Sequence, residues 1–261
     1  MTGDEGFGSR MNADDRGIRL ITSPQQAYDT LRFVSPESPC PYLPGRASRS
    51  EVYHVDHLAG PTYERLLAEG FRRSGRLVYR PRCRGCCECR QLRVPVSRFR
   101  PTRSLRRVLR KNRDVAVTCQ DPTPTEEKYD LFVRYLNAQH DETMSRSHDT
   151  FIDFLYDSPT ETEEILYRLD GRLIGVSLVD AVPRGLSSVY MYFDPAFARR
   201  SPGTFSVLWE IDLCRRRGLD YYYLGYYVAG SRTMAYKARF RPNEVLVGSG
   251  RWLTLRTDEG A

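Results

Sequence analysis

The spacing of apolar and polar residues changes several times along the chain, and each change predicts an element. Residues 1 to 17 (MTGDEGFGSRMNADDRG) show no periodicity and predict a disordered head, with order beginning near Ile18. From Glu51 the alternation of Val52, His54 and Asp56 predicts a strand, and PTYERLLAEG predicts a helix opened by Pro61 and stopped by Gly70. RLVYRP and QLRVPVSRF read as extended segments on either side of a cysteine-rich turn, with Pro95 marking an edge or a break. PTRSLRRVLRKNRDV has a helical period. At 100° per residue Leu105, Val108, Leu109 and Asn112 share one face, while Arg103, Arg106, Arg107, Arg110 and Arg113 spread over the other. DPTPTEE then reads as a linker.

Beyond Glu126 helices are predicted through KYDLFVRYLNAQH and around Thr150 to Tyr156, followed by strands at EEILYRLD, RLIGVSLVD and LSSVYMYFD. Asp170 and Gly171 form the turn between the first two strands. Ser201 is placed to cap, and Pro202 to open, a helix running from about Thr204 to Arg217 with Val207, Leu208, Ile211 and Cys214 as its buried stripe. Gly218 ends it, YYYLGYYV is a further strand, and EVLVGSGRWLTL holds a last one. The expectation is an α/β (α+β) protein of two domains: a smaller N-terminal α/β domain over 18 to 120 and a C-terminal domain over 121 to 255. The element order of the second resembles the GNAT acyltransferase fold. In that fold the helix after the fourth strand turns its amides toward the acyl donor, here at Arg199, Arg200 and Ser201 to Thr204. This loop departs from the Gln/Arg-x-x-Gly-x-Gly/Ala pattern of acetyl-CoA users, which points to a different acyl donor.

Composition narrows the partners. With 261 residues, 40% hydrophobic and 28% charged, the chain reads as soluble and globular. No apolar run reaches membrane-spanning length and the head lacks a signal peptide's segments, so a cytoplasmic protein with no membrane partner is expected. The net charge of +7 suits a polyanion, and the arginines of the basic helix, stacked at three- and four-residue spacing, would be relieved by phosphates. Arg103, Arg106, Arg107, Arg110 and Lys111, with Arg199 and Arg200, are the candidate contacts to a phosphate-bearing partner; a merely solvated basic face is the alternative.

Five of the seven cysteines (Cys40, Cys83, Cys86, Cys87, Cys89) bear on one question. The Cys83/Cys86 step can converge on one soft ion, and Cys40 with Cys87 or Cys89 can complete a tetrahedral set. The metal candidates are therefore Cys40, Cys83, Cys86 and Cys89, with zinc or an iron–sulfur cluster as the candidate group and plain thiols beside a turn as the competing reading. Cys119 and Cys214 read as small packing residues.

GFRRSG (70 to 75), YRPRCRGC, SLRRVLRKN (104 to 112), SSVYMYFDP (187 to 195) and YLGYYVAGSRTMAYKARFRPNE (223 to 244) together resemble the bacterial aspartate/glutamate leucyltransferases, which belong with the eukaryotic arginyl-tRNA–protein transferases. The resemblance runs from about Pro39 to Glu244. It implies a monomeric aminoacyltransferase that moves leucine, or alternatively arginine, from charged tRNA to proteins beginning with Asp or Glu, marking them for proteolysis. Eukaryotic relatives carry a CxxC near the start where CPYL here has Leu43, which separates this chain from any metal site known there unless Cys83 and Cys89 substitute.

An aminoacyl ester is already activated, so such a reaction needs no cofactor. The enzyme delivers a neutral α-amine, aligns it and stabilises an oxyanion, and alignment alone supplies roughly 7 to 11 kcal/mol. Asp180, matching an acid of the family pattern, is the candidate to accept or orient the amine proton. Tyr190, Tyr226 and Tyr227 lie on the strands that would open the cleft, and Lys237 can grip the tRNA end or the oxyanion. An acidic N-terminal residue calls for a half-buried arginine fork; Arg72 and Arg73 are the candidates, with Arg46 in reserve. Of the histidines only His140 falls at a family-like position. The competing functions are a GNAT-type enzyme with another donor such as acyl-CoA, a cell-wall ligase using aminoacyl-tRNA, and a non-enzymatic nucleic-acid-binding module.

Overall fold

In the computed structural model, residues 32–139, 144–248 and 250–255 are described; the expected disordered head, the start of order at Ile18 and His140 lie outside them. Fourteen strands are described. β1 (Arg32–Val34), β4 (Ser50–His54), β5 (Arg72–Ser74) and β6 (Leu77–Pro81) form a small antiparallel sheet in the order β1-β4-β6-β5. β2 (Ser38–Pro39) and β3 (Ala47–Ser48) pair as a short ribbon. The remaining strands are β7 (Arg90–Pro95), β8 (Ala116–Gln120), β9 (Thr162–Leu169), β10 (Arg172–Val182), β11 (Gly185–Phe193), β12 (Tyr221–Tyr227), β13 (Glu244–Leu246) and β14 (Trp252–Thr254). They build one eight-stranded sheet in the order β14-β13-β7-β12-β11-β10-β9-β8.

The helices follow the apolar periods. α1 (Gly60–Ala68) opens with Pro61 in its first turn and buries Tyr63, Leu66 and Leu67 against the small sheet, where Val55, Leu58, Phe71 and Val78 complete a core. α2 (Arg103–Lys111) is capped by the Thr102 hydroxyl and buries Leu105, with Asn112 buried at its end. α3 (Glu126–Gln139) and the single turn α4 (His148–Phe151), which runs on into a π-turn over Ile152–Tyr156, cover one face of the large sheet. α5 (Pro202–Arg216) covers the other. β9 shows the division residue by residue: Ile165 and Tyr167 face the α5 side while Leu166 faces α3, as the two-residue period of a strand requires.

Four expectations change. The boundary expected at 120/121 cuts through the large sheet, because β7 and β8 join strands from the C-terminal half. Of the two readings of Pro95 the break holds: it is the last residue of β7, which lies between β12 and β13 and not at an edge. β8 is an additional strand at the sheet's edge, and EVLVGSGRWLTL holds two strands, not one. Ser201 precedes α5 with a left-handed backbone (φ 57°) and makes no side-chain cap. The chain is thus a mixed helix-and-sheet protein, and among the described residues no helix is long and apolar enough to cross a membrane.

The connection that matters for function is between β11 and β12. They are parallel, joined through α5, and pair only over Gly185–Tyr221, Leu186–Tyr222 and Ser187–Tyr223. Past that point β11 continues to Phe193 beside β10 and β12 to Tyr227 beside β7, with no further pairing between β11 and β12, so the sheet forks.

Candidate active site

The fork is occupied by the turn after α1. Gly70 to Arg73 is pinned to the large sheet from two directions: Gln91 of β7 donates to the carbonyls of Leu67 (3.1 Å) and Phe71 (2.5 Å), and the Tyr226 hydroxyl of β12 donates to that of Gly70 (2.7 Å). Phe71 is fully buried, with the Arg80 guanidinium 4.3 Å over its ring. β5 so anchored delivers two consecutive arginines into the large sheet.

They land on one cross-strand row. Thr162 of β9, Asp180 of β10, Ser187 of β11 and Tyr223 of β12 are successive register partners. Arg73 makes a two-pronged pair with Asp180 (Nε–Oδ2 2.7 Å, Nη2–Oδ1 2.6 Å), with both side chains at most 1% exposed, and the Thr162 hydroxyl donates to the same carboxylate at 2.7 Å. Arg72 donates to the Ser187 hydroxyl (2.9 Å) and to the Ser188 carbonyl, at the point where β11 and β12 part.

Asp180 and Arg73, expected to serve the reacting amine and the acidic substrate separately, are therefore spent on each other. Asp180 is fully buried and already accepts three donated bonds, so it stands as a positioning residue for β5 and not as a proton acceptor. Tyr226 is likewise committed, its hydroxyl taken by the Gly70 carbonyl. Tyr227 is buried in the core, with the Arg90 guanidinium 5.7 Å from its ring centre.

Arg72 has a different neighbour. Lys237, on the 3-10 turn Ala235–Arg239 that follows β12, is buried and donates to the Tyr226 carbonyl at 2.8 Å. Gly225 stands between the two cations. Its φ of +88° accompanies a β-bulge against β7, and a side-chain carbon there would lie 3.4 Å from Lys237 Nζ and 3.5 Å from Arg72 Nη2. Neither Arg72 nor Lys237 makes an ion pair with a carboxylate among the described residues. Burial first, and the Arg72 guanidinium second, lower the lysine's pKa to about 7. Tyr79 and Tyr42 lie near Arg72, with Cys89 near both, and burial raises the pKa of all three.

Tyr190 sits on β11 beyond the fork among aromatic rings: Phe154 at 4.9 Å, Tyr135 at 6.3 Å and Phe132 at 6.4 Å between centroids. Its buried hydroxyl has no hydrogen-bond partner among the described residues.

The expected cationic helix forms, and it lies beside the N-terminal end of α5. Asn112 and Lys111 donate to the carbonyls of Arg200 (2.9 Å) and Arg199 (2.5 Å), and Arg200 pairs with Asp114 at 2.8 Å. Lys111 and Arg200 thus tie the two elements together. Arg103, Arg106, Arg107, Arg110 and Arg199 are exposed and carry no carboxylate partner among the described residues.

The cysteines gather without converging. Burial, then the neighbouring Cys83, Cys40 and Cys86, push the Cys89 thiol up to about 12, so the four lie near one another. Cys86 Sγ accepts from Arg46 Nη1 (3.4 Å) and Cys83 Sγ donates to the Arg49 carbonyl (3.6 Å). Among the described residues no group of three or more His, Cys, Asp or Glu side chains is placed to hold a metal ion. Arg46, expected in reserve for substrate, belongs to this loop and lines a cavity of about 300 Å³ with Glu37, Ser48, Arg49, Cys83 and Cys86.

Sequence reasoning separated Arg72 from Lys237 and gave them different tasks. What joins them is Gly225, a glycine inside an otherwise aromatic strand, the pattern of a bulge or a close approach. Glu210 was also missed. It interrupts the apolar stripe of α5, lies 1% exposed, and accepts from Ser177 (2.6 Å), Tyr167 (3.2 Å) and Tyr222. Burial raises its pKa to about 7.

Comparison with known proteins places the chain in a family. Residues 38–107 match the family model described as arginine-tRNA-protein transferase, N terminus, and residues 127–247 the model of its C terminus. The aspartate/glutamate leucyltransferase of Bradyrhizobium diazoefficiens is 41% identical over 246 residues, covering 88% of this chain and 95% of that protein. The protein of the same name from Alkalilimnicola ehrlichii is 41% identical over 227 residues, covering 85% and 95%. Among solved structures, the C-terminal domain of a putative lysylphosphatidylglycerol synthetase from Agrobacterium fabrum overlaps 54% of this chain and 46% of its own (TM-score 0.43, 16% identity), and FemX overlaps 62% and 59% (TM-score 0.41, 12% identity). By sequence over nearly its whole length, the chain belongs to the arginine-tRNA-protein transferase family.

Proposed function

We infer that this protein is an aminoacyltransferase that moves leucine from leucyl-tRNA to the N-terminal Asp or Glu of acceptor proteins. The observation that carries the acceptor side is the buried, carboxylate-free pair of Arg72 and Lys237 at the strand fork. Two cations held out of water beside each other are costly unless an anion joins them, and an acidic side chain at the first position of a peptide supplies one. The guanidinium offers the planar fork that a carboxylate fits, and the lysine adds a point charge once it holds a proton.

The donor side rests on surface and packing. Arg103, Arg106, Arg107, Arg110 and Arg199 form an exposed cationic strip where α2 meets the start of α5, suited to the phosphates of a tRNA arm whose 3′ end reaches the fork. Tyr190 of β11 beyond the fork, with Tyr135 of α3 and Phe154 of the π-turn, gives an apolar wall suited to a branched aliphatic side chain such as leucine's. The ester is already activated, so the transfer proceeds with no cofactor; holding the amine against the carbonyl is the main contribution of the fold.

The test offers the purified protein leucyl-tRNA and arginyl-tRNA with peptides that begin Asp, Glu or Ala. Leucine is expected on the Asp and Glu peptides alone. Transfer of arginine in preference to leucine would reassign the donor, and no transfer to either acidic peptide would end the reading.

A further inference from the structure

Lys237 is an unusual choice if its only task is to bind an anion. A second arginine would remain charged at any pH, whereas a lysine enclosed by protein beside a guanidinium gives up its proton readily. Among the described residues one backbone carbonyl, that of Tyr226, accepts from its ammonium, and no carboxylate pairs with it. Arg72 of β5 faces it, and Arg239 and Tyr236 come from its own turn. Around the adjoining Arg72 and Tyr226 lie Tyr79 of β6, Tyr42 and Cys89, groups whose raised pKa values leave them uncharged near neutrality. Among the described residues the strong charge acting on Lys237 is therefore the guanidinium that the proposed function assigns to the acidic side chain.

Resting on that function, we propose that Lys237 is the base that deprotonates the acceptor's α-ammonium, and that it is armed by the acceptor's own acidic side chain, whose carboxylate offsets Arg72 and raises the proton affinity of the neighbouring lysine. Specificity and catalysis then meet at one residue. An Asp or Glu side chain docks on Arg72 and removes the field that kept Lys237 from holding a proton. The neutral lysine takes one proton from the α-ammonium, and the freed amine attacks the leucyl ester carbonyl to form the C–N bond. As the tetrahedral adduct collapses, the carbon–oxygen bond to the ribose breaks. The adduct's nitrogen gives its second proton to the departing 3′ oxygen, and Lys237 returns its proton to solvent as the product leaves. The lowered lysine pKa of about 7, set by burial and by Arg72, places the free base within reach of an α-ammonium of ordinary pKa, about 8.

The experiment is single-turnover transfer of leucine from leucyl-tRNA to an Asp-initiated peptide by the wild type, Lys237→Met and Lys237→Arg, from pH 6.5 to 9. Wild-type transfer establishes that the underlying function holds; absence of wild-type transfer removes both that function and this role. With the function in place, both variants are expected to lose about 100-fold or more in rate at pH 7, within the usual range for a lost general base. Lys237→Arg is expected to keep the peptide's KM within about threefold while losing kcat, because the cation that binds remains and the base does not. The deficit of Lys237→Met is expected to shrink above pH 8, where the amine is already free. Thermal melting and tRNA binding of each variant report whether the fold is intact. A deficit independent of pH in a folded Lys237→Met, or a Lys237→Arg protein with wild-type kcat, would overturn the role. Should both variants fail to fold, the wild type decides alone: the role requires the Asp peptide's rate to exceed that of its Asn isostere by a factor that narrows as pH rises past 8, and a constant factor would overturn it.

Discussion

Two adjacent arginines with opposite fates show how much single side chains can differ at this site. Arg73 is closed on Asp180 inside the protein, with every prong matched, while Arg72, one residue earlier, ends beside a lysine. Removing one member of a buried ion pair strands the other. Arg73→Gln is therefore expected to lose about 3 to 5 kcal/mol of stability in chemical unfolding, whereas Arg73→Met combined with Asp180→Leu should lose markedly less. Equal losses in the single and double variants would show that packing, not charge, dominates there. GFRRSG was readable in advance as a site for a carboxylate, but not which arginine would serve, because the distinction lies in a cross-strand row built from Thr162, Asp180 and Ser187 on three different strands. A single sequence carries no register between strands distant in the chain. Nor does it reveal that Lys237 folds back past Gly225 to meet Arg72.

Elements were more legible than sites. The amphipathic periods gave α2, α3 and α5, and Asp170–Gly171 gave the hairpin between β9 and β10, where both residues adopt the positive φ that a two-residue turn demands. β8 escaped because it is an edge strand whose residues are mostly exposed, leaving no apolar alternation to read. α2 was read with its two faces, and its basic face should behave as a polyelectrolyte contact. Arg106→Glu with Arg110→Glu is expected to weaken tRNA binding and flatten the plot of log affinity against log salt by about 2, measured by filter binding between 50 and 300 mM salt. An unchanged slope would return the helix to a solvated surface. In α5 the buried Glu210 makes a pH-dependent contribution. Its pKa is about 7 in the folded protein against 4.5 in the unfolded chain, so the fold favours the protonated acid. The stabilisation is complete below pH 4.5 and is lost as pH rises to about 7. Glu210→Gln should remove this part of the pH dependence and gain on the wild type at pH 8, as followed by denaturant midpoints at both pH values. A parallel pH dependence in the variant would assign the effect elsewhere.

The whole molecule is organised around strands exchanged between its two ends. β7 comes from the N-terminal half yet lies inside the large sheet, between β12 and β13, and its Gln91 helps hold the turn that carries Arg72. The two family-model matches, over 38–107 and 127–247, meet in one sheet. An expected division at residue 120 followed the Pro- and Thr-rich stretch, a local signal that marks a connection but says nothing about which sheet the preceding strand joins. This joining allows a residue of the small sheet to enter the fork of the large one, and the acceptor specificity proposed here depends on it. The most direct measurement compares leucine transfer from leucyl-tRNA to peptides beginning Asp and Asn, isosteres that differ in charge, for the wild type and Arg72→Gln. The wild type should prefer Asp by roughly 30-fold or more in kcat/KM, the low end expected of a buried charged contact, and Arg72→Gln should shrink that preference to within about threefold while remaining folded. A folded Arg72→Gln protein that still discriminates Asp from Asn as the wild type does would contradict the account.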